Sequence, residues 1–317
     1  MLKEMSDRGG TACPVCRGNE CEHRERYKGQ HAIFEGRWLR RCRDCGMVFA
    51  DPMPDAGEWE SYNRDFFAES EVAVAAEGQA ALFFQGLARL RLAQIEQAVD
   101  ALPDSVLEIG PGPGHFCQAY FEQVADARYG VIETDVHCHG RLRDLGAEVW
   151  EDLGAAAAGA PYGIVVMSHV LEHCLDPRDF METVWALLRP GGVLFVEVPC
   201  LDCDYKPTFD AHVLFFDKGS MARLLDHVGA EGCHLSYHGE SVEVLRRPYQ
   251  FHVRLANKVR SLVGASPSEP PAESEPVNLP IDGTMWRAVA PFKPHVENDV
   301  PSRWLRALAY KPGQPTG

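Results

Sequence analysis

Apolar runs and segments of helical periodicity alternate along the central part of this chain. Continuous apolar runs such as 163–168 and 193–199 have the length and composition of buried parallel strands. The predicted strands cover residues 106–109, 129–135, 147–150, 163–168, 193–199 and 232–237. Helices are predicted over residues 80–99, 177–188 and 218–228. A further helix is predicted between the second strand and residue 145. This alternation predicts an α/β fold with a mainly parallel sheet and helices on both faces.

The C-terminal third contains one further predicted strand. The apolar run 285–291 is interpreted as an antiparallel partner that closes the sheet at seven strands. A segment at about 264–282 is rich in proline, serine and glutamate, which predicts a mobile insertion. Residues 296–317 are predicted to form a weakly ordered tail, in which Trp304 and Leu305 can dock.

A glycine motif follows the first predicted strand. Glu108 is followed by Gly110, Gly112 and Gly114 in the pattern E-x-G-x-G-x-G. Glycine lacks a Cβ atom, so the chain can turn sharply and a ligand can lie against its backbone. A strand, a glycine turn and a helix form a nucleoside site at the carboxyl edge of an α/β sheet. Glu133 ends the next strand, nineteen residues after Gly114, where such folds place a carboxylate for ribose hydroxyls.

This motif resembles that of the class I S-adenosylmethionine (SAM) methyltransferases rather than the G-x-G-x-x-G of NAD enzymes. The resemblance implies a Rossmann-like, seven-stranded sheet with SAM as its cofactor. Glu108 and the three glycines would hold the methionine portion of SAM, and Glu133 its ribose. The further implied cofactor-binding residues are His115, Ser168 and, on the adenine side, Asp152 and Leu153. A helix-capping role for His115 and a solvated strand-end position for Asp152 stay open.

Two Cys-x2-Cys pairs near the N-terminus predict a metal site. The pairs are separated by twenty-five residues and consist of Cys13, Cys16, Cys42 and Cys45. Four thiolates complete a closed tetrahedral zinc shell, which leaves no position for a substrate. The zinc is therefore expected to be structural, in a small zinc-ribbon-like module. Cys21 and His23 are alternative ligands outside the paired motifs.

The order of a four-cysteine module, a helical linker and a SAM domain resembles the sugar C-methyltransferases of deoxysugar biosynthesis and related methyltransferases of glycan and natural-product pathways. The resemblance covers roughly residues 13–240 and does not extend to the further C-terminal domain of those enzymes. It implies that Tyr62 lines the substrate pocket, while Phe66 stands where a second tyrosine is expected.

Three histidines and a glutamate follow the fourth and fifth strands of the predicted sheet. His169 and His212 are candidates for proton transfer, because neutral imidazole accepts a proton near pH 7, although each can instead cap or anchor a loop. Residues 169–173 spell H-x-x-E-H, the pattern of inverted zinc proteases. That pattern needs a regular helix, whereas here it directly follows a buried strand. A divalent metal on Glu172 and His173 is the remaining alternative.

The composition limits the classes of partner. The 317 residues include 46 acidic and 31 basic side chains, and this net charge of −15 disfavours a protein that wraps nucleic acid. The basic cluster Arg37, Arg40, Arg41 and Arg43 is interpreted as a solvated face of the zinc module. Hydrophobic residues make up 45% of the chain, but no apolar run has membrane-spanning length. Eleven cysteines without an apolar N-terminal leader favour metal binding in a cytoplasmic protein.

The chain is accordingly divided into a zinc-binding module (1–55), a helical linker or lid (56–103), a SAM-dependent methyltransferase domain (104–295) and the tail. The predicted function is methyl transfer from SAM to a small molecule, with a sugar or sugar-bearing metabolite favoured. One alternative is an RNA methyltransferase guided by the zinc module. Another is a non-catalytic protein in which the zinc module docks a partner and the SAM domain is degenerate.

Overall fold

The computed structural model of the protein describes residues 11–69, 78–247 and 279–313, with the side chains of 65–69 and 79 left aside. The side chain of Phe66 and most of the segment at 264–282 therefore lie outside the described part. The strands are β1 (Cys21–Arg26), β2 (Trp38–Cys42), β3 (Val48–Asp51), β4 (Ser105–Ile109), β5 (Arg128–Ile132), β6 (Glu148–Trp150), β7 (Tyr162–Ser168), β8 (Leu188–Pro199), β9 (Leu214–Phe215), β10 (Glu231–Ser241), β11 (Glu297–Asn298) and β12 (Ser302–Tyr310).

The helices connect these strands on both faces of the larger sheet. They are α1 (Ala56–Glu69), α2 (Gly78–Glu96), α3 (His115–Phe121), α4 (His139–Asp144), α5 (Leu153–Ala156), α6 (Pro177–Leu187), α7 (Lys218–His227), α8 (Val242–Arg246) and α9 (Gly283–Val289). Two short 3-10 turns matter for the site, Leu171–His173 after β7 and Asp202–Asp204 after β8.

The larger sheet has the strand order β11-β10-β12-β8-β7-β4-β5-β6. Strands β4 to β8 run parallel, and β12 is antiparallel to both β8 and β10. Because the order reverses at β4, the loops after β4 and β7 open a crevice at the carboxyl edge of the sheet. The predicted α/β fold with a parallel-rich central sheet is confirmed, with β11 as a short additional edge strand.

Both faces of the parallel strands are buried, which explains their continuous apolar runs. On β4, Leu107 and Ile109 pack on one face of the sheet, while Val106 packs on the other. The same alternation places Val165 on the first face and Ile164 on the second. Since strand side chains alternate between faces, a strand covered by helices on both sides has no polar face.

The last strand is not where the sequence pattern placed it. Residues 283–289 form the helix α9, because the side chain of Asp282 accepts the backbone N–H groups of Thr284 and Met285 and so caps a helix start. Trp286 and Val289, three residues apart, then pack together against helix α2. The prediction of a strand at 285–291 is therefore wrong.

The strand that completes the sheet comes from the predicted tail. Strand β12 lies between β8 and β10, and seven of its residues pair with β8 in an unbroken register. Leu305 is fully buried and Trp304 is 6% exposed. The docking of these two residues is confirmed, but the expectation of a weakly ordered tail is wrong for 302–310.

A second, four-stranded sheet joins the N-terminal module to the rest of the molecule. Its order is β1-β2-β3-β9, and β9 belongs to the loop that follows β8. The pairing of β3 with β9 places Val48 opposite Phe215 and Phe49 opposite Leu214, all four fully buried. The module thus shares backbone hydrogen bonds and core with the larger domain. Among the described residues, none of the helices has the length and apolar composition needed to cross a membrane.

We expect the β3–β9 junction to be a major contributor to stability. Replacing Phe215 by Ala removes a fully buried aromatic ring and should lower the free energy of unfolding by about 3–5 kcal/mol. The matched control is Val300→Ala, because Val300 is 53% exposed and its truncation should change stability by less than about 0.5 kcal/mol. Denaturant unfolding followed by circular dichroism measures both. Equal effects of the two substitutions would contradict a structural junction.

Candidate active site

The glycine loop after β4 leaves bare backbone at the carboxyl edge of the sheet. A Cβ atom added to Gly112, at φ +54°, would meet no atom within 4 Å, so this residue faces open space where a ligand can lie. A Cβ on Gly114, at φ +80°, would approach Leu142 and Leu145 to 2.9 Å. The first position thus provides room for a ligand, and the second lets α3 pack closely on α4.

The carboxylate of Glu133 lies directly beside this loop. Its Oε2 accepts the backbone N–H of Gly112 at 2.7 Å, and its Oε1 accepts that of Asp135 at 2.8 Å. Burial raises the pKa of Glu133, while these two backbone donors oppose the rise. Each oxygen keeps a second lone pair, which can accept a hydrogen bond from a sugar hydroxyl.

Glu108, the acid of the glycine motif, is buried and 6% exposed. Its Oε2 accepts the hydroxyl hydrogen of Tyr129 at 2.7 Å. Burial raises the pKa of Glu108 to about 7, although the hydrogen bond from Tyr129 acts in the opposite direction. This contact ties β4 to β5, and a contact of Glu108 with the methionine portion of SAM stays a prediction.

The remaining residues expected at the cofactor lie around the same edge. His115 begins α3, is 6% exposed and stacks on Phe84 with ring centroids 6.1 Å apart. Asp152 accepts the backbone N–H of Ala155 at 2.8 Å and so caps α5, while Leu153 is partly buried in the core. Ser168 ends β7, opposite Glu197 in the pairing with β8. These side chains therefore lie near the carboxyl ends of neighbouring strands.

His169 follows β7 in a left-handed conformation at φ +59°. This turn places its ring between two buried carboxylates, with Nδ1 3.2 Å from Glu172 Oε1 and Nε2 3.3 Å from Glu197 Oε1. Burial by itself lowers the pKa of His169, but the hydrogen bonds and charges of the two carboxylates outweigh it and raise the pKa to about 9. The imidazole is therefore protonated near neutral pH and acts as a hydrogen-bond donor.

Glu197 lies at the centre of a buried group of charges that the sequence reasoning missed. Arg91 from α2 donates Nε–H to Glu197 Oε1 at 3.0 Å, and Arg306 from β12 donates Nε–H to Oε2 at 2.6 Å. Although burial by itself raises the pKa of Glu197, the two arginine charges hold it well below its ordinary value. The sequence signal was an acidic residue, Glu197, inside an otherwise apolar strand. Its partners could not be predicted, because Arg91 and Arg306 are more than a hundred residues away along the chain.

A second group forms where the loops after β7 and β8 meet. The rings of His173 and His212 are edge to face with centroids 5.0 Å apart, and Glu172 lies beside them. His212 donates Nδ1–H to Asp202 Oδ2 at 2.8 Å, and Lys206 pairs with the same oxygen at 2.7 Å. Asp202 was not anticipated, because nine residues separate it from His212 along the chain and only the fold brings them together.

Helix α1 closes this region from the side of the N-terminal module. Tyr62 is 9% exposed, stacks on Trp59 and packs edge to face on Phe34. Trp59 donates its indole N–H to the carbonyl of His173 at 2.8 Å. The hydroxyl oxygen of Tyr62 also accepts a hydrogen bond from the backbone N–H of Ala211, the residue before His212. The helix therefore holds the two histidine-bearing loops against the module.

The four cysteines of the paired motifs are brought together as expected. Their Sγ atoms all lie within 4.8 Å of one another, with Cys13 and Cys45 3.6 Å apart and Cys16 and Cys42 3.4 Å apart. None of the four is in a disulfide. Cys21 lies outside the cluster, with its Sγ on the carbonyl of Gly18. Four thiols in this arrangement have the donor chemistry of a structural metal site.

Glu108 gives the site a testable pH dependence. Its pKa rises from 4.5 to about 7 in the folded protein. Between these values the folded protein keeps a proton that the unfolded chain has released, so the free energy of unfolding falls as the pH rises. We expect Glu108→Gln, which mimics the protonated acid, to gain about 2.5 kcal/mol relative to the wild type from pH 5 to pH 8. Urea unfolding at both pH values measures the difference. The exposed Glu151→Gln is the control, and parallel curves for Glu108→Gln would refute the assignment.

Comparisons with known proteins agree with this geometry. Residues 78–235 match a protein family described as a methyltransferase domain. A ubiquinone biosynthesis O-methyltransferase of Rhizobium etli is 33% identical over 99 residues, which are 29% of this chain and 39% of that protein. A tRNA 5-carboxymethoxyuridine methyltransferase of Escherichia coli is 33% identical over 73 residues, 23% of this chain and 24% of that protein. The chain thus spans about two fifths or less of the length of these relatives.

A solved structure of a plantazolicin methyltransferase in complex with SAH, S-adenosylhomocysteine, is also similar. It has 14% sequence identity and a TM-score of 0.48, covering 81% of this chain and 98% of that one. The family match covers the glycine loop, Glu133 and strands β4 to β8. The chain therefore contains a SAM-dependent methyltransferase domain.

Proposed function

We propose that the whole protein transfers a methyl group from SAM to a small molecule, and that this acceptor is a sugar or a sugar-bearing metabolite. One observation carries the proposal. The open glycine loop with Glu133 and the two polar groups around His169 and His212 meet at the same carboxyl edge of the sheet. A nucleoside cofactor and a polar acceptor can therefore be held next to each other.

On the cofactor side, the bare backbone at Gly112 and the lone pairs of Glu133 fit the ribose end of SAM. His115 and Ser168 are proposed to border the methionine portion. Leu153 offers an apolar contact to the adenine, while the capping role of Asp152 leaves it one further carboxylate oxygen for the adenine amino group. The bound SAM supplies a sulfonium-activated methyl group, and the residues of this chain orient it.

On the acceptor side, we propose that His169 provides a hydrogen-bond donor and His212 a lone pair. Protonated His169 can donate a hydrogen bond to an acceptor oxygen, since its partners Glu172 and Glu197 hold it charged. His212 presents Nε2 as a lone pair, because Asp202 accepts the proton on Nδ1. That lone pair can take a proton from the acceptor. Because Glu172 and His173 lie beside it, His212 can instead bind a cation. Tyr62 is proposed to close the pocket from α1.

Two of the four arginines in the N-terminal basic cluster are paired within the module. Arg40 is 2% exposed and donates to Asp51 and to the carbonyl of Cys21. Arg43 pairs with Glu22 through two hydrogen bonds. Because these charges have acidic or carbonyl partners within the module, they support a small acceptor over RNA. The tRNA methyltransferase relative keeps RNA methylation as the second candidate.

Calorimetric titration with SAH tests the cofactor assignment. We expect one-to-one binding by the wild type and at least about ten-fold weaker binding by Glu133→Ala, because a charge-assisted hydrogen bond is worth roughly 1.5–3 kcal/mol. Glu151→Ala is the matched control, since Glu151 is an exposed acid close to the same edge. Binding by a folded Glu133→Ala protein that equals the wild type would remove Glu133 from the site.

Transfer of labelled methyl groups from SAM then separates the two acceptor classes. Sugars and nucleotide sugars are tested beside bulk tRNA under the same conditions. Label in the sugar pool supports the proposal. Label in tRNA alone, with binding that weakens steeply as salt rises, would replace it by RNA methylation.

We also propose that the four-cysteine cluster holds a structural zinc ion. Cys42→Ser should reduce the zinc content by one equivalent and destabilise the N-terminal module, because the ion closes the loop between the two cysteine pairs. The control is Cys233→Ser, an exposed cysteine outside the cluster. Zinc content is measured by mass spectrometry on gel-filtered protein. An unchanged content in Cys42→Ser would exclude a zinc site at these cysteines.

A further inference from the structure

We propose that Glu172, His173 and His212 form a second metal site, which binds a divalent transition-metal ion such as zinc. One ligand atom from each residue lies within 4.8 Å of the other two. The two histidine rings approach each other edge to face at 5.0 Å, and His173 Nε2 is 4.0 Å from Glu172 Oε1. The three residues come from the turn after β7 and the loop after β8.

Both histidines are anchored in the manner of metal ligands. His173 Nδ1 contacts the carbonyl oxygen of Ala211, which can only accept, so this nitrogen carries the proton. His212 Nδ1 likewise donates to the buried carboxylate of Asp202 at 2.8 Å. Each ring therefore has its lone pair on Nε2. A ligating histidine in a protein usually donates its other N–H to a carbonyl or carboxylate, which fixes the tautomer and the ring.

Glu172 supplies the independent observation. It is 1% exposed, and Oε1 contacts His169 at 3.2 Å. The other oxygen, Oε2, is buried and has no hydrogen-bond partner among the described residues. A buried carboxylate oxygen without a partner is costly, and a bound cation would satisfy it. The unpartnered oxygen belongs to the residue that lies beside both histidines.

The donor set selects the kind of ion. Two imidazole nitrogens and one carboxylate suit zinc and its neighbours in the transition series, whereas magnesium and calcium prefer oxygen ligands alone. Three protein ligands leave a coordination position open, in contrast to the closed shell of the four cysteines. The three residues lie at the carboxyl edge of the sheet, where an ion with an open position would be able to hold an acceptor oxygen and make its hydroxyl more acidic. That use of the ion rests on the proposed function, whereas its binding does not.

Cobalt is the probe that separates the two sites. Purified full-length protein is exchanged into Co²⁺, and metal content and absorption spectra are recorded. The four-cysteine cluster should give intense thiolate-to-cobalt charge-transfer bands, while the second site should give weak ligand-field bands without them. We expect the wild type to bind one equivalent more than Glu172→Gln or His212→Ala. Both variants should keep the charge-transfer bands, which shows that they are folded.

A positioning variant and a matched control sharpen the test. Asp202→Asn keeps all three ligands but weakens the anchor of His212, so the affinity of the second site should fall about 10–100-fold. His234→Ala removes an exposed histidine away from the cluster and should bind as the wild type does. A wild type that binds cobalt only with thiolate bands, or an unchanged second equivalent in both ligand variants, would overturn the proposal. A bound second metal without any methyl transfer would count against the proposed function and not against this site.

Discussion

Glu197 is a fully buried carboxylate in β8, and the arrangement of the whole carboxyl edge depends on how its charge is compensated. Arg91 reaches it from α2, Arg306 from the neighbouring β12, and His169 from the turn after β7. An exposed ion pair contributes only about 0–1 kcal/mol, whereas removing one partner of a buried pair costs roughly 3–5 kcal/mol. Four elements are therefore held in one relative position by a single side chain.

This charge cluster continues into the polar groups that line the site. His169 bridges Glu197 and Glu172, and Glu172 in turn borders His173 and His212. A change in the charge of Glu197 therefore alters the electrostatic potential at His173 and His212, because the intervening groups are buried and poorly screened by water. The site is best described as one continuous polar network at the carboxyl edge of the sheet.

The N-terminal module completes this edge of the protein. Strand β9, which pairs with β3, lies two residues after His212, and Trp59 holds the carbonyl of His173. Cys42 of the cysteine cluster ends β2, the strand that pairs with β3. A structural metal in the module would thereby fix the loops that carry the histidines, although it takes no part in the chemistry.

The sequence by itself determined the elements whose signal is local. Continuous apolar runs identified β4, β7 and β8, because strands covered on both faces need no polar side. The glycine spacing predicted the sharp turn after β4, since such a turn requires residues without a Cβ atom. The spacing of the two Cys-x2-Cys pairs likewise predicted that the four thiols come together. Only the tertiary structure decided β12, because Arg306 is compatible with a buried strand only when Glu197 lies opposite it. The same holds for Asp202 and His212, whose contact depends on how a loop folds over the sheet rather than on any pattern along the chain.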